Sequence, residues 1–174
     1  ESTGYAHASD LSEEALKRAA SAVQAVKTGR GGMLADGPAR TNIKLYPDDN
    51  PLDALPFEAK AKLLADINDY ARAKDSRVRQ VSASLSGEWA AIKIVRPGGE
   101  IIRDIRPLVR LNVSVTAGDG DRQESGSYGA GGREGYARFI TPDAWRFYVD
   151  EALRQALVNL SAEAAPAGEM EVVL

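Results

Sequence analysis

The sequence predicts an α+β fold in which helices pack on one side of a curved, largely antiparallel β-sheet. Apolar residues recur at helical spacing near both ends of the chain, whereas the middle, from about Val81 to Arg122, alternates apolar and polar residues in short runs. Glycine-containing turns separate these runs. Consecutive strands that are joined by short turns pair with one another in antiparallel fashion, so the sheet should be a meander.

The first predicted helix runs from about Leu11 to Lys27. Asp10 can cap its start, and Glu13, three residues further on, completes an arrangement like a capping box. A loop over residues 33–56 should follow this helix, because turn-forming residues are frequent there.

Two more helices are predicted, one from Pro56 to about Lys74 and one that begins at Pro142 with Thr141 as its cap. The inner face of the earlier helix should carry Phe57, Ala61, Leu64, Ile67 and Ala71. The later helix has a broader apolar face, formed by Trp145, Tyr148, Val149, Ala152, Leu153, Ala156, Leu157 and Leu160. It should therefore be well buried.

Five strands are expected between these two helices. They are Val81–Ser86, Trp89–Val95, Ile101–Ile105, Val109–Val115 and a strand from about Arg122. The predicted turns are Gly87-Glu88, Pro97-Gly98-Gly99 and residues 117–121. Both tryptophans, Trp89 and Trp145, lie on apolar faces and should belong to the core.

The composition is that of an ordinary globular protein with one domain. The 174 residues carry a net charge of −3, from 22 basic and 25 acidic side chains. This balance argues against a surface for nucleic acid or anionic membranes. Cysteine is absent and His7 is the only histidine, so a catalytic zinc site built from this chain alone is not expected. The lack of cysteine is compatible with a reducing cytoplasm.

The glycine-rich segment 125–136 is the part of the sequence that local structure explains least. Gly129, Gly131 and Gly135 do not have the spacing of a dinucleotide-binding loop, and the Gly-Lys-Ser/Thr of a P-loop is missing. Two interpretations remain open. The segment is either a bulged or flexible strand, or a strand without side chains along which another backbone can lie. The candidate contact residues for a peptide or partner are Gly126, Gly129, Gly131, Gly132, Arg133 and Tyr136.

Three arginines, Arg133 among them, have two interpretations. Arg106, Arg110 and Arg133 could face a peptide carboxylate or a partner subunit, or they could simply be solvated on half-exposed strands.

Residues 136–140, after the glycines, should be extended.

Several sequence blocks, in this order and spacing, resemble the TldD branch of the TldD/PmbA family. These blocks are Thr3–Ala6, Val81–Gly87, Arg106–Val115, the glycine-rich segment, Ala156–Ser161 and Ala164–Gly168. The similarity spans essentially the whole chain. The succession of blocks is more specific than any one of them.

Members of this family are zinc-dependent peptidases that are also described as modulators of DNA gyrase. The resemblance implies that the full-length protein cleaves unfolded peptides, pairs with a PmbA (TldE)-like paralogue, and binds zinc through an HExxxH motif beyond Leu174. It assigns no catalytic residue to this chain. It also implies that residues 1–174 are a single domain, a fragment of an N-terminal domain that lacks its first strands and the following catalytic domain. Residues 169–174 should begin a new strand.

Two functions from different classes are therefore expected. In the first, the chain is the non-catalytic N-terminal part of a TldD-like zinc metallopeptidase, forming a chamber wall and a sheet that binds extended peptides or a partner. In the second, it is an interaction module that regulates a partner such as DNA gyrase. Both hypotheses place the protein in the cytoplasm, without nucleic acid, membrane or a cofactor in this part of the chain.

Overall fold

The computed structural model describes residues 4–25, 44–96, 98–163 and 167–171, and the chain divides into two compact units, residues 1–43 and 44–174. The elements in chain order are α1 (Glu13–Ala25), α2 (Phe57–Lys74), β1 (Val78–Val95), β2 (Ile101–Asp119), β3 (Arg122–Gly132) and α3 (Pro142–Ser161). Helix α1 belongs to the first unit and all other elements to the second. The predicted α+β class is confirmed.

Helix α1 begins at Glu13 because Ser12 caps it. The Ser12 hydroxyl accepts a hydrogen bond of 3.3 Å from the Ala15 N–H, as an N-cap residue does. The predicted cap, Asp10, instead accepts hydrogen bonds from Ser12, through its hydroxyl and its N–H, and these bonds lower the pKa of the Asp10 carboxyl. The predicted cap residue is therefore wrong by two positions. The expected helix end at Lys27 and residues 33–43 of the expected loop lie outside the described residues.

The sheet has three strands in the order β1-β2-β3, and both pairings are antiparallel. Strands β1 and β2 are long, and the predicted turn at Gly87-Glu88 is wrong. Gly87 pairs with Val109 in the middle of a continuous strand. A glycine is needed there because a Cβ atom would lie only 3.1 Å from ring atom Cζ of Tyr136. Close side-chain packing, not a turn, accounts for this glycine.

The two predicted segments Ile101–Ile105 and Val109–Val115 are likewise parts of one strand. It passes through Pro107, which is paired with Trp89. Proline is tolerated there because β3 ends at Gly132, opposite Val109, so that within the described part of the chain β2 has a neighbouring strand only on the β1 side. The turns that do occur have glycines with positive φ, at Gly98 and Gly99 and at Gly120.

Helices α2 and α3 pack on one face of the sheet. The side chains that alternate toward them along β2 are nearly inaccessible to solvent: Val109, Leu111, Val113, Val115 and Ala117. Helix α2 lies mainly against β1, and α3 lies against β2 and β3. The predicted apolar face of α3 is confirmed, since Leu157 is half-buried and its other members are buried. Thr141 accepts the expected capping hydrogen bond from the Ala144 N–H.

Some predicted core positions are exposed. On α2, Ile67 and Ala71 are buried and Leu64 is half-buried, but Ala61 is exposed and Phe57 is 78% exposed. The buried stripe of α2 also includes the half-buried Leu63 and Tyr70, so that Phe57 lies beyond its end. Trp145 is in the core as expected.

Trp89 is 37% exposed, so its predicted place in the core is wrong. Its indole N–H donates to the Asp48 carbonyl oxygen at 3.1 Å, at the boundary between core and solvent.

One predicted extended segment is not extended, and the described part of a second has no regular structure. Residues 136–140 form a turn in which the Phe139 N–H donates to the Tyr136 carbonyl oxygen at 2.8 Å. Residues 169–171 have no regular structure, and the rest of the strand expected there, 172–174, lies outside the described residues. Among the helices that the structure describes, none is both long enough and apolar enough to span a bilayer.

Candidate functional site

The outer edge of β3 is covered by α3 over only part of its length. The Asn159 side-chain amide donates to the Ser125 carbonyl oxygen at 3.2 Å, and the Ser127 N–H donates to the Gln155 side-chain oxygen at 3.4 Å. The backbone groups of Ser125 and Ser127 therefore point away from β2. Because backbone direction alternates along a strand, Gly129 and Gly131 must point outward in the same way.

No hydrogen bond from the described residues reaches the outward groups of Gly129 and Gly131. We call the outward N–H and C=O groups of these two residues the glycine edge. No side chain of its own shields the edge, and α3 side chains bond to the strand only as far as Ser127. The glycine edge is thus a short piece of sheet margin to which another backbone can bind.

The close approach of β2 explains why both residues are glycine. A Cβ atom on Gly131 would lie 2.9 Å from the Arg110 Cα atom, and one on Gly129 would lie 3.0 Å from the Leu111 carbonyl oxygen. Neither glycine has a positive φ, so backbone strain is not the reason. The strand spacing demands small residues here, and its consequence is an edge without side chains.

The sheet face opposite α2 and α3, which we call the open face, is polar beside the glycine edge. It contains a concavity of about 330 Å³. The lining residues include Ser82, Ser84, Arg110, Asn112, Ser114, Ser127 and Gly129. Hydroxyl and amide groups therefore dominate this surface, and Arg110 contributes its charge.

A match to a protein-family model decides which proteins this chain is related to. Residues 50–160 match the model described as the PmbA/TldA metallopeptidase central domain. The chain belongs to the PmbA/TldD metallopeptidase family. Its relatives in this family include a metalloprotease TldD homolog of Haemophilus influenzae, 42% identical, and one of Buchnera aphidicola subsp. Schizaphis graminum, 35% identical. Both alignments cover the whole chain but only 38% of each relative.

Solved structures support the PmbA/TldD fold. A Thermotoga maritima protein, described as a proposed modulator of a DNA gyrase, superposes with a TM-score of 0.64 at 18% identity. The alignment covers 90% of this chain and 34% of that one. A Bacteroides thetaiotaomicron protein with a similar description gives a TM-score of 0.64 at 16% identity, over 88% of this chain and 36% of its own. At these identities the likeness concerns the fold alone.

The family is one of metallopeptidases, but the described residues hold no metal centre. They contain no group of three or more His, Cys, Asp or Glu side chains that could bind an ion. Asp119 and Asp121 flank the turn at Gly120, within the predicted turn of residues 117–121. The site in this PmbA/TldD chain offers backbone hydrogen bonds, hydroxyl groups and a guanidinium, which suit binding more than water activation.

The structure separates the six candidate contact residues of this PmbA/TldD chain. Gly129 and Gly131 form the glycine edge. Gly126 lies on the opposite face, buried under α3, where a Cβ atom would be 2.6 Å from the Ala156 nitrogen.

Gly132 also lies on the helix side, where a Cβ atom would be 3.2 Å from ring atom Cζ of Phe139. Tyr136 is only 4% exposed, and burial raises the pKa of its phenol. The exposed Arg133 has its guanidinium 5.6 Å from the centre of the Tyr46 ring. Peptide contact by any of the six residues remains a prediction.

The sequence reasoning missed Ser82, Ser84, Asn112 and Ser127 as parts of the site. Their alternation with apolar residues was visible, and it predicts a polar face of the sheet. What the sequence could not show is that β3 pairs in a register that places Gly129 opposite Asn112. This register joins the polar residues to the glycine edge.

Proposed function

We propose that this chain is a non-catalytic part of a TldD-like metallopeptidase, and that its glycine edge binds an extended peptide as an additional strand of the sheet. The observation that carries the proposal is the pair of outward backbone groups at Gly129 and Gly131, beyond the last α3 side chain bonded to the strand. Backbone pairing makes little demand on sequence. It therefore suits a peptidase that acts on unfolded substrates.

The size of the edge indicates how tightly it can hold a peptide. Two outward residues offer four backbone groups, and each hydrogen bond contributes roughly 0.5–1.5 kcal/mol net. The edge alone gives weak, reversible binding, which suits a peptide that must be released again. We propose that other parts of the full-length protein complete the site.

The metal belongs to the same proposal. The relatives are named metalloproteases, whereas no group of metal-binding side chains lies among the described residues. We propose that a zinc ion is bound by another part of the full-length protein and supplies the activated water. The role of this chain would be to hold the peptide near that centre.

N-methyl scanning of a peptide substrate tests strand addition in the full-length protein. In an added strand, the N–H group of only every second residue points at the glycine edge. Methylation of one of these N–H groups should slow cleavage of the peptide by about fivefold to tenfold, which corresponds to one lost hydrogen bond. The intervening positions should tolerate methylation. The measurement is kcat/KM for each peptide.

The unmethylated peptide is the control, and the protein with its metal is unchanged throughout. Equal effects at all positions, or none, would contradict strand addition. This test is cleaner than Gly131→Val, since a side chain at this position would collide with the backbone of β2 and alter the edge itself.

A second candidate function is regulation of a partner protein. The two solved structures of similar fold are described as proposed modulators of DNA gyrase, and a partner strand could occupy the same edge. Candidate partners are a PmbA (TldE)-like paralogue and, indirectly, DNA gyrase. A pull-down with this chain and each purified partner separates the two functions. Regulation would be favoured if this chain captured gyrase and contributed nothing to peptide binding.

A further inference from the structure

The structure distinguishes the three arginines that could face a carboxylate. The Arg106 Nε atom lies 2.7 Å from Asp104 Oδ2, so this arginine already has an acidic partner. The guanidinium carbon of Arg133 lies over the Tyr46 ring, 5.6 Å from its centre. Arg110 forms no ion pair within 4 Å with any acidic side chain that the structure describes, Glu88 on the same face included.

Arg110 is nevertheless held in place. Its Nε–H donates to the Asn112 side-chain oxygen at 2.7 Å. This bond leaves the terminal nitrogens of the guanidinium available, and these can donate two parallel hydrogen bonds to one carboxylate. The Asn112 amide therefore orients the arginine without consuming its charge.

The surroundings of Arg110 suit an anion. The concavity beside it is lined by serine hydroxyls and the Asn112 amide, and no carboxylate of the described residues contributes to its wall. Hydroxyls can donate to a second oxygen of a bound anion. A carboxylate here would meet a positive charge and neutral donors.

The register of the sheet connects Arg110 to the glycine edge. Gly131 lies directly opposite Arg110, and Gly129 lies opposite Asn112. A strand added to β3 would run two strand spacings, about 10 Å, from β2. Because neither glycine carries a side chain, nothing from β3 would separate an open-face side chain of that strand from the Arg110 guanidinium.

We propose that Arg110 is a specificity-determining residue that binds a carboxylate of an extended peptide, either an acidic side chain or the C-terminal carboxylate. This inference rests on the proposed strand addition at the glycine edge. It adds a preference for a carboxylate to binding that would otherwise depend only on the peptide backbone. The preferred carboxylate is the one that lies opposite Gly131 on the open face.

The test uses fluorescein-labelled peptides of equal length, measured by fluorescence anisotropy at low salt with the full-length protein after removal of its metal, so that the peptides are bound but not cleaved. One series moves a single Glu through a neutral sequence, and a second compares a free with an amidated C-terminus. We expect one register position, or the free C-terminus, to tighten binding about threefold to fivefold, in line with a partly exposed ion pair. The preference should fall as salt rises.

Arg110→Gln should abolish this preference, whereas Arg110→Lys should retain part of it because the charge remains. Arg106→Gln, in which the altered arginine already has an acidic partner, is the matched control and should behave like the unchanged protein. An equal preference in the unchanged protein and Arg110→Gln, or no preference in either, would overturn the inference. The alternating N-methyl effect would then still stand, which distinguishes this failure from failure of strand addition.

Discussion

The substitution Gly126→Ala is expected to lower the free energy of unfolding by about 2–3 kcal/mol, as overpacking at a rigid contact does. The added Cβ atom would lie 2.6 Å from both the Ala156 nitrogen and the Gln155 Cβ atom, and closer still to the Ala152 carbonyl oxygen. These are mostly backbone atoms of α3, so no side-chain rotation can relieve the overlap. The helix would have to move away from the sheet. Urea denaturation followed by circular dichroism measures the loss.

Gly135→Ala is the matched control for this prediction. Among the residues that the structure describes, no atom lies within 4 Å of the position that its Cβ atom would occupy, and its φ is not positive. The same chemical change should therefore leave the free energy of unfolding within about 0.5 kcal/mol, or raise it slightly by restricting the unfolded chain. Equal losses in both variants would show that the helix contact at Gly126 is not what requires glycine.

The glycines of β3 show why the sequence could not assign the glycine-rich segment. Gly126, Gly129 and Gly131 are chemically identical, and their spacing only predicts which of them share a face of a strand. Whether a face lies under a helix depends on where α3 crosses β3, which is a tertiary property. The structure places α3 at Gly126 and leaves Gly129 and Gly131 beyond the last bonded side chain.

For some elements, in contrast, local chemistry was sufficient to predict the structure from the sequence. The Thr141-Pro142 start of α3 has its signal within four residues, because the cap hydroxyl bonds the Ala144 N–H of the same turn. The apolar face of α3 follows from helical periodicity. Where the competing contact is distant in sequence, as for Gly87 against Tyr136, the same kind of local signal predicted a turn that does not exist.

As with the fold, only part of the candidate site could be predicted from the sequence. Both interpretations of the glycine-rich segment made it a strand, and β3 is a strand that pairs with β2 without a bulge. That a peptide or partner backbone lies along it stays a prediction. The backbone that lies close to it is that of β2, which the sequence does not reveal. The position of Arg110 opposite Gly131 follows from strand register, and register is fixed by the hairpin at Gly120 together with the buried face of β2.

The substitution Leu111→Ala is expected to lower the free energy of unfolding by about 3 kcal/mol, within the range of 2–5 kcal/mol for buried leucines. Leu111 is fully buried in the central strand, in the same cluster as Ile67 of α2 and Val149 of α3. Removal of its side chain leaves a cavity between the sheet and both helices, since closely packed helices cannot close it without losing other contacts.

Leu108→Ala provides the comparison on the same strand. Leu108 points to the open face and is 39% exposed. Its replacement by alanine should lower the free energy of unfolding by less than about 1 kcal/mol, because folding buries less apolar surface at this position than at Leu111. Chemical denaturation of the two variants measures the difference, and an unchanged denaturant dependence would show that only the native state has been altered. Similar losses for both leucines would mean that the open face is covered as well.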